Sequence, residues 1–189
     1  MPEVGVCAVA SPLQDRNYCD VCERRVRWER DVFGRLYGLS KPTVAAVHGH
    51  VIGSGVELAL LCDLRIASED ARFALPETSL GLVPAAGGTQ TLPRMVGYGR
   101  ALSMVLEGAE LDAVSALRTG LVSRVVPLAQ LRAAAGRIAE DLARLSPASV
   151  ESARQALRAA WRLPLHDGLL AEARSAARLS AELTSPSPT

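Results

Sequence analysis

The sequence predicts an α/β fold, on three observations. Over roughly the first hundred residues, short apolar strands alternate with glycine-bearing turns and helices. After that the chain becomes alanine-rich and helically periodic. Its 189 residues are 49% hydrophobic and 22% charged, the balance of a water-soluble globular chain large enough for one packed domain.

The elements follow in order. Residues 4–9 run apolar and read as a first strand. Ala10-Ser11-Pro12 breaks it, with Ser11 a helix N-cap and Pro12 at the first helical position. Over residues 20–37, Val21, Trp28, Val32, Phe33 and Leu36 recur in a helical rhythm opposite a strongly charged face. Gly38-Leu39-Ser40-Lys41-Pro42 stops that helix. Residues 43–47 (TVAAV) are continuously small and apolar, as in a sheet covered on both faces. Residues 48–55 read as a glycine-punctuated turn, 56–61 as the start of an apolar helix, and 62–67 and 71–74 as short strands. A loop over 84–90 leads into a helix beginning at Gln90. Further helices are expected over 100–107, 112–118, 128–145, 147–161 and 165–183, with a strand at 122–126. The polar end, broken by Pro186 and Pro188, is expected to be disordered. The organisation expected is an α/β core over 1–125, a helical region suited to oligomerisation over 126–183, and a disordered tail over 184–189.

Charge and composition exclude several function classes. A formal net charge of +1 gives no global attraction to nucleic acid or an anionic membrane. Arg24, Arg25, Arg27 and Arg30 cluster, but Glu23, Glu29 and Asp31 sit among them, so the stretch reads as a solvated mixed-charge helix face. No run approaches the ~18 apolar residues of a membrane span, and the first ten residues lack a signal-peptide pattern. A cytoplasmic location is expected. Cys7 and Cys62 lie in apolar runs and read as small buried hydrophobes. Cys19-Asp20-Val21-Cys22 has metal-ligand spacing, and His48 and His50 could complete a set. A structural zinc site needs four ligands, and no second pair stands at a matching spacing, so no metal is expected.

The stretch most able to carry chemistry is His48-Gly49-His50-Val51-Ile52-Gly53-Ser54-Gly55. Glycine at 53 and 55 permits a tight turn and close approach of a ligand to the backbone. A helix beginning near Ser54 would direct main-chain N–H groups and a positive dipole end at that ligand, which suits a developing oxyanion. Glu57 lies about one turn in. Glu77 follows Pro76 twenty residues later, between a strand and a glycine-bearing loop. Two carboxylates around one oxyanion site are what a proton-shuttling addition or isomerisation requires.

Several motifs agree in order and spacing with one family. The stretch from Lys41-Pro42-Thr43 to His48-Gly49, then Gly53-Ser54-Gly55-Val56-Glu57-Leu58-Ala59-Leu60 and Cys62-Asp63, resembles the crotonase (enoyl-CoA hydratase/isomerase) signature. Phe73-Ala74-Leu75-Pro76-Glu77, the stretch from Gly81-Leu82-Val83-Pro84-Ala85 to Thr89-Gln90, and Gly120-Leu121-Val122 continue it. The resemblance covers roughly residues 41–183 and is weaker over 4–38.

The resemblance implies a crotonase-like ββα spiral core, shortened at its N-terminal side, followed by helices. It implies Glu57 and Glu77 as the catalytic pair, with the Ser54 and Ser11 backbone N–H groups as the oxyanion hole. Ala10, Ser11, Pro12, Leu13, Gly53, Ser54, Gly55, Pro84 and Ala85 would bind substrate. Pro12 stands where the family usually has Asp, and Ala85 and Ser54 where it usually has Gly. The implied activity is syn hydration of a trans-2-enoyl-CoA, with coenzyme A entering only as part of the substrate and no further cofactor. Isomerisation, another acyl-CoA reaction, or a catalytically silent scaffold are the alternatives, the last because the chain looks shortened at both ends. The implied partners are an acyl-CoA and further copies of the chain, as a trimer or dimer of trimers, with no nucleic acid or membrane.

Overall fold

The computed structural model of the chain describes residues 5–9 and 32–184. Its strands are β1 (Gly5–Val9), β2 (Thr43–Val47), β3 (His50–Ile52), β4 (Leu64–Ser68), β5 (Arg72–Ala74), β6 (Leu111–Asp112) and β7 (Arg124–Val126). Its helices are α1 (Val32–Tyr37), α2 (Ser54–Leu61), α3 (Gly88–Val96), α4 (Tyr98–Leu106), α5 (Ala113–Arg118), α6 (Leu128–Ala143), α7 (Pro147–Ala159) and α8 (Leu165–Thr184). A short 3-10 helix spans Glu77–Leu80.

The strands are divided between two sheets. One sheet has the order β1-β2-β4-β7, parallel throughout. The other has the order β3-β5-β6, with β3 and β5 parallel and β6 antiparallel to β5. The chain leaves the first sheet at Val47 for β3, returns through α2 to β4, and leaves again for β5. Each ββα turn thus stacks a strand on both sheets, the spiral that the motifs imply.

Period-2 alternation along β2 decides how the core divides. Ala45 and Val47 face one cluster with Val51, Phe73, Leu75, Leu92, Met104 and Leu121. Val44 and Ala46 face the opposite way, with Ile66, against Leu131, Ala134, Ala135 and Ile138 of α6. All five residues of β2 are buried, because its sheet is covered on both sides as the TVAAV run predicts. Small alanines on α6 let the helix approach the sheet closely.

The regular elements match the sequence reading in kind, with three differences. The stretch read as a turn over 48–55 contains strand β3, defined by its register with β5 rather than by any pattern three residues can show. The strand expected over 122–126 begins only at Arg124. Val122 is buried, but its N–H donates to the Ala116 carbonyl (3.3 Å) and closes the end of α5. The 3-10 helix and β6 have no counterpart in the reading. The helix expected over 20–37 is described from Val32 to Tyr37, and its earlier part lies outside the described residues. Among the described residues no helix is long and apolar enough to cross a membrane.

Candidate active site

The site is built around the start of α2. Gly53 precedes that helix with φ 57° and ψ −122°, a backbone conformation that a side-chain-bearing residue strongly disfavours. So placed, Gly53 donates its N–H to the Ala74 carbonyl (2.9 Å) at the end of β5. Its own carbonyl accepts from the N–H groups of Val56 (2.9 Å) and Glu57 (3.2 Å). Ser54 is the first helical residue and Gly55 the second, both half-buried.

Space is as tight as geometry. A Cβ on Gly53 would lie 2.9 Å from Glu77 Oε1. The Glu77 side chain therefore rests against the residue whose carbonyl holds the Glu57 N–H. Gly53 thus holds the backbone of one glutamate and borders the side chain of another twenty residues on.

Their surroundings differ. Glu57 is 1% exposed, and a buried carboxylate needs hydrogen-bond donors to be tolerable. It has two: its Oε1 accepts from the N–H groups of Ala86 (2.8 Å) and Gly88 (2.9 Å). Gly88 begins α3, so the carboxylate also sits at the positive end of that helix. Only glycine fits there, since a Cβ on Gly88 would lie 2.9 Å from Glu57 Oε1 and 3.0 Å from Leu75 Cδ2. The two donors fix the orientation of the carboxylate and leave Oε2 outside their grip.

Glu77 is half-buried and opens the 3-10 helix after Pro76. That turn is closed by the Leu82 N–H donating to the Glu77 carbonyl (2.9 Å) and the Gly81 N–H donating to the Thr78 carbonyl (3.0 Å). The Thr78 hydroxyl donates to the Val105 carbonyl, tying the turn to α4.

Behind the site, Arg65 secures the end of α2. It is buried, and its guanidinium donates to the carbonyls of Cys62 (2.6 Å) and Leu121 (2.6 Å). Desolvation lowers its pKa from the usual arginine value, against opposing contributions from Cys62 and Asp63.

The structure thus brings Glu57, Glu77, Gly53, Ser54 and Gly55 together. Pro84 is buried and Ala85 exposed on the loop leading to Ala86. Ala10, Ser11, Pro12 and Leu13 lie outside the described residues, as do Cys19 and Cys22. Among the described residues no three metal-ligating side chains group together, His48 and His50 included. Sequence reasoning missed Ala86 and Gly88 as the partners of Glu57. Their signal was present as Ala86-Gly87-Gly88, but main-chain donors leave no mark in residue type beyond a glycine where room is short.

Two sheets fed by ββα turns, with a buried glutamate one turn into a glycine-started helix, define the crotonase class of proteins. Comparisons with known proteins agree. Residues 26–185 match the family model described as enoyl-CoA hydratase/isomerase, and the chain belongs to that family. It is 46% identical over 141 residues to a 2,3-dehydroadipyl-CoA hydratase of Escherichia coli K12, covering 75% of this chain and 55% of that protein. It is 44% identical over 126 residues to a short-chain-enoyl-CoA hydratase of Clostridium acetobutylicum, covering 67% and 48%. The crystal structure of an enoyl-CoA hydratase from Bacillus anthracis superposes with a TM-score of 0.79 at 38% identity, over 85% of this chain and 63% of that one. The chain spans about half the length of the curated relatives it matches.

Proposed function

We propose that this chain hydrates a trans-2-enoyl-CoA by syn addition of water. The observation that carries the reading is a buried Glu57 carboxylate gripped by two main-chain donors, on a helix whose leading glycine, Gly53, lies close against the Glu77 carboxylate. Glu57 takes a proton from the water whose oxygen attacks C3, and Glu77 delivers a proton to C2. Water is consumed whole, so no redox partner is needed, and coenzyme A enters only as the thioester of the substrate.

Negative charge grows on the thioester oxygen as C3 is attacked. In this reading it is met by main-chain N–H groups of Ser54, at the start of α2, and Ser11. Backbone donors at such a position are worth roughly 2.7–4 kcal/mol of barrier each, and their use makes Ser in place of Gly at 54 tolerable. The grip of Ala86 and Gly88 on Glu57 Oε1 supports its role, because it holds the carboxylate still with Oε2 left for the water. Retention of both glutamates favours hydration over isomerisation, which in this family can proceed with one.

Replacing Glu77 with Gln should lower hydration of crotonyl-CoA by about 10²- to 10⁴-fold, the usual contribution of a general acid or base, while the protein stays folded. Unchanged turnover in the purified variant refutes the assignment. A cytoplasmic location and assembly into trimers belong to the same proposal. Assembly is supported by the exposed apolar residues Leu157, Leu165, Leu169 and Leu170 on α7 and α8.

A further inference from the structure

Helices α7 and α8 form a hairpin that sits outside the apolar core. No residue of α7 is buried, and none of the described α8 side chains is either. Apolar packing therefore does not explain how the hairpin is held. Among the described residues, the polar contacts that tie it to the body centre on two arginines of α7 and one carboxylate.

That carboxylate is Asp63, immediately after the C-cap of α2. Its Oδ2 accepts from the Thr43 N–H (2.8 Å) and hydroxyl (3.0 Å), and the Asp63 N–H donates back to Thr43 Oγ1 (3.0 Å). Arg154 lies 2.8 Å from Oδ2 and Arg158 3.1 Å from Oδ1. The two arginines also reach the end of α1 and the segment after it. Arg158 donates to the Tyr37 carbonyl (2.7 Å) and stacks 4.4 Å from the centre of the Tyr37 ring. Arg154 donates to the carbonyls of Leu39 and Ser40. These side chains are 11–21% exposed, so solvent screens them far less than a surface pair.

We infer that Asp63 is a positioning residue that docks the α7–α8 hairpin on the end of α2 and so fixes that helix along its axis. Glu57 lies four residues before Leu61, the last residue of that helix, roughly 6 Å along its axis at 1.5 Å per residue, and Asp63 follows just beyond the C-cap. A rod of two turns transmits displacement at one end to the other. Thr43 anchors the joint to the first residue of β2, so the hairpin, the sheet and the helix bearing Glu57 share one fastening. The catalytic half of this inference rests on the function proposed above, whereas the docking half does not.

The test is Asp63→Asn in the full chain, followed by amide hydrogen exchange and steady-state hydration of crotonyl-CoA. Asn keeps the size and can still accept from Thr43, but has no charge for two guanidinium groups. Exchange over residues 147–181 should quicken by about tenfold as the hairpin opens locally. Exchange in α2 should rise more modestly, while β2 and β4 stay protected. The kcat should fall by about tenfold, equivalent to a small shift of the reacting groups, with KM nearly unchanged. Asp63→Glu should recover part of the hairpin protection, since it keeps the charge.

Unchanged exchange in the hairpin overturns the docking role. A looser hairpin with α2 exchange and kcat unaltered overturns the positioning role. Should Asp63→Asn not fold, the double variant Arg154→Gln, Arg158→Gln gives the same readout from the hairpin side and is judged by the same outcomes. A wild-type chain without hydratase turnover defeats the proposed function, yet the exchange experiment still decides the docking.

Discussion

The body around β2 and α2 and the C-terminal hairpin are both helical or sheet structure of good regularity, but different forces hold them. In the body, Val44, Val47, Val56, Ile66, Phe73 and Leu75 are at most 1% exposed. Glycines there are shaped to the atoms beside them. In the hairpin no described side chain is buried, and charged groups make the attachment. The lesson is that apolar burial fixes position in one region, whereas the other, among the described residues, is located by polar contacts of two arginines. The candidate site, with Glu57 held by Ala86 and Gly88 and Glu77 set against Gly53, lies in the first region.

The comparison breaks most readily with a core truncation. Phe73→Ala should destabilise the protein by about 3–5 kcal/mol, as expected for a fully buried aromatic whose cavity cannot collapse. Denaturant unfolding measures it. A loss below 1 kcal/mol would mean that the body is no better packed than the hairpin.

Gly88→Ala comes next. The added methyl would press on Glu57 Oε1 and on Leu75, and overpacking of this kind costs typically about 1–3 kcal/mol. Because the strain falls on the Glu57 carboxylate, kcat should drop more than stability alone explains, with KM little altered. Wild-type kcat in a folded Gly88→Ala protein would show that the fit of residue 88 to Glu57 does not matter.

How much of this was legible in the sequence follows from the same division of forces. TVAAV announced a doubly covered strand because burial on both faces leaves no polar position, and all five residues are buried. Amphipathic periods located α6, α7 and α8 to within a few residues. Strands β3 and β6, of three and two residues, are too short to carry a period and exist by virtue of their partners. Glu57 and Glu77 became visible through motif order, since a single glutamate in a sequence looks like any other. The donors that grip Glu57 are backbone groups, which have no residue type. Asp63 and Arg158 stand 95 positions apart, and nothing local in the sequence joins them.

A smaller effect is expected where a helix cap stands at the edge of the body. Asp112 accepts from the Ser115 N–H (2.7 Å) at the start of α5, and that backbone hydrogen bond lowers its pKa below the ordinary carboxylate value. A group whose pKa is lower folded than unfolded stabilises above the unfolded value of about 3.9, and loses that contribution as pH falls through the folded value. Asp112→Ala should therefore lower Tm at pH 7 by a small amount, and the gap from wild type should close on acidification below about pH 4. A gap independent of pH would place the effect in packing or helix propensity rather than in the charged cap.

The smallest effect is expected at Leu157. It is 72% exposed on α7, on a helix without a buried residue, so Leu157→Ser removes almost no packing from the single chain. Surface replacements of this kind fall within about 0.5 kcal/mol of neutral. Unfolding at low protein concentration, where association contributes least, is the measurement. A cost comparable to that of Phe73→Ala would show that Leu157 is buried in solution and that a covering surface carries the hairpin. A neutral result in dilute protein, together with a concentration-dependent loss in concentrated protein, would separate the two. The hairpin would then be tied to its own body by charge and to another copy by apolar contact.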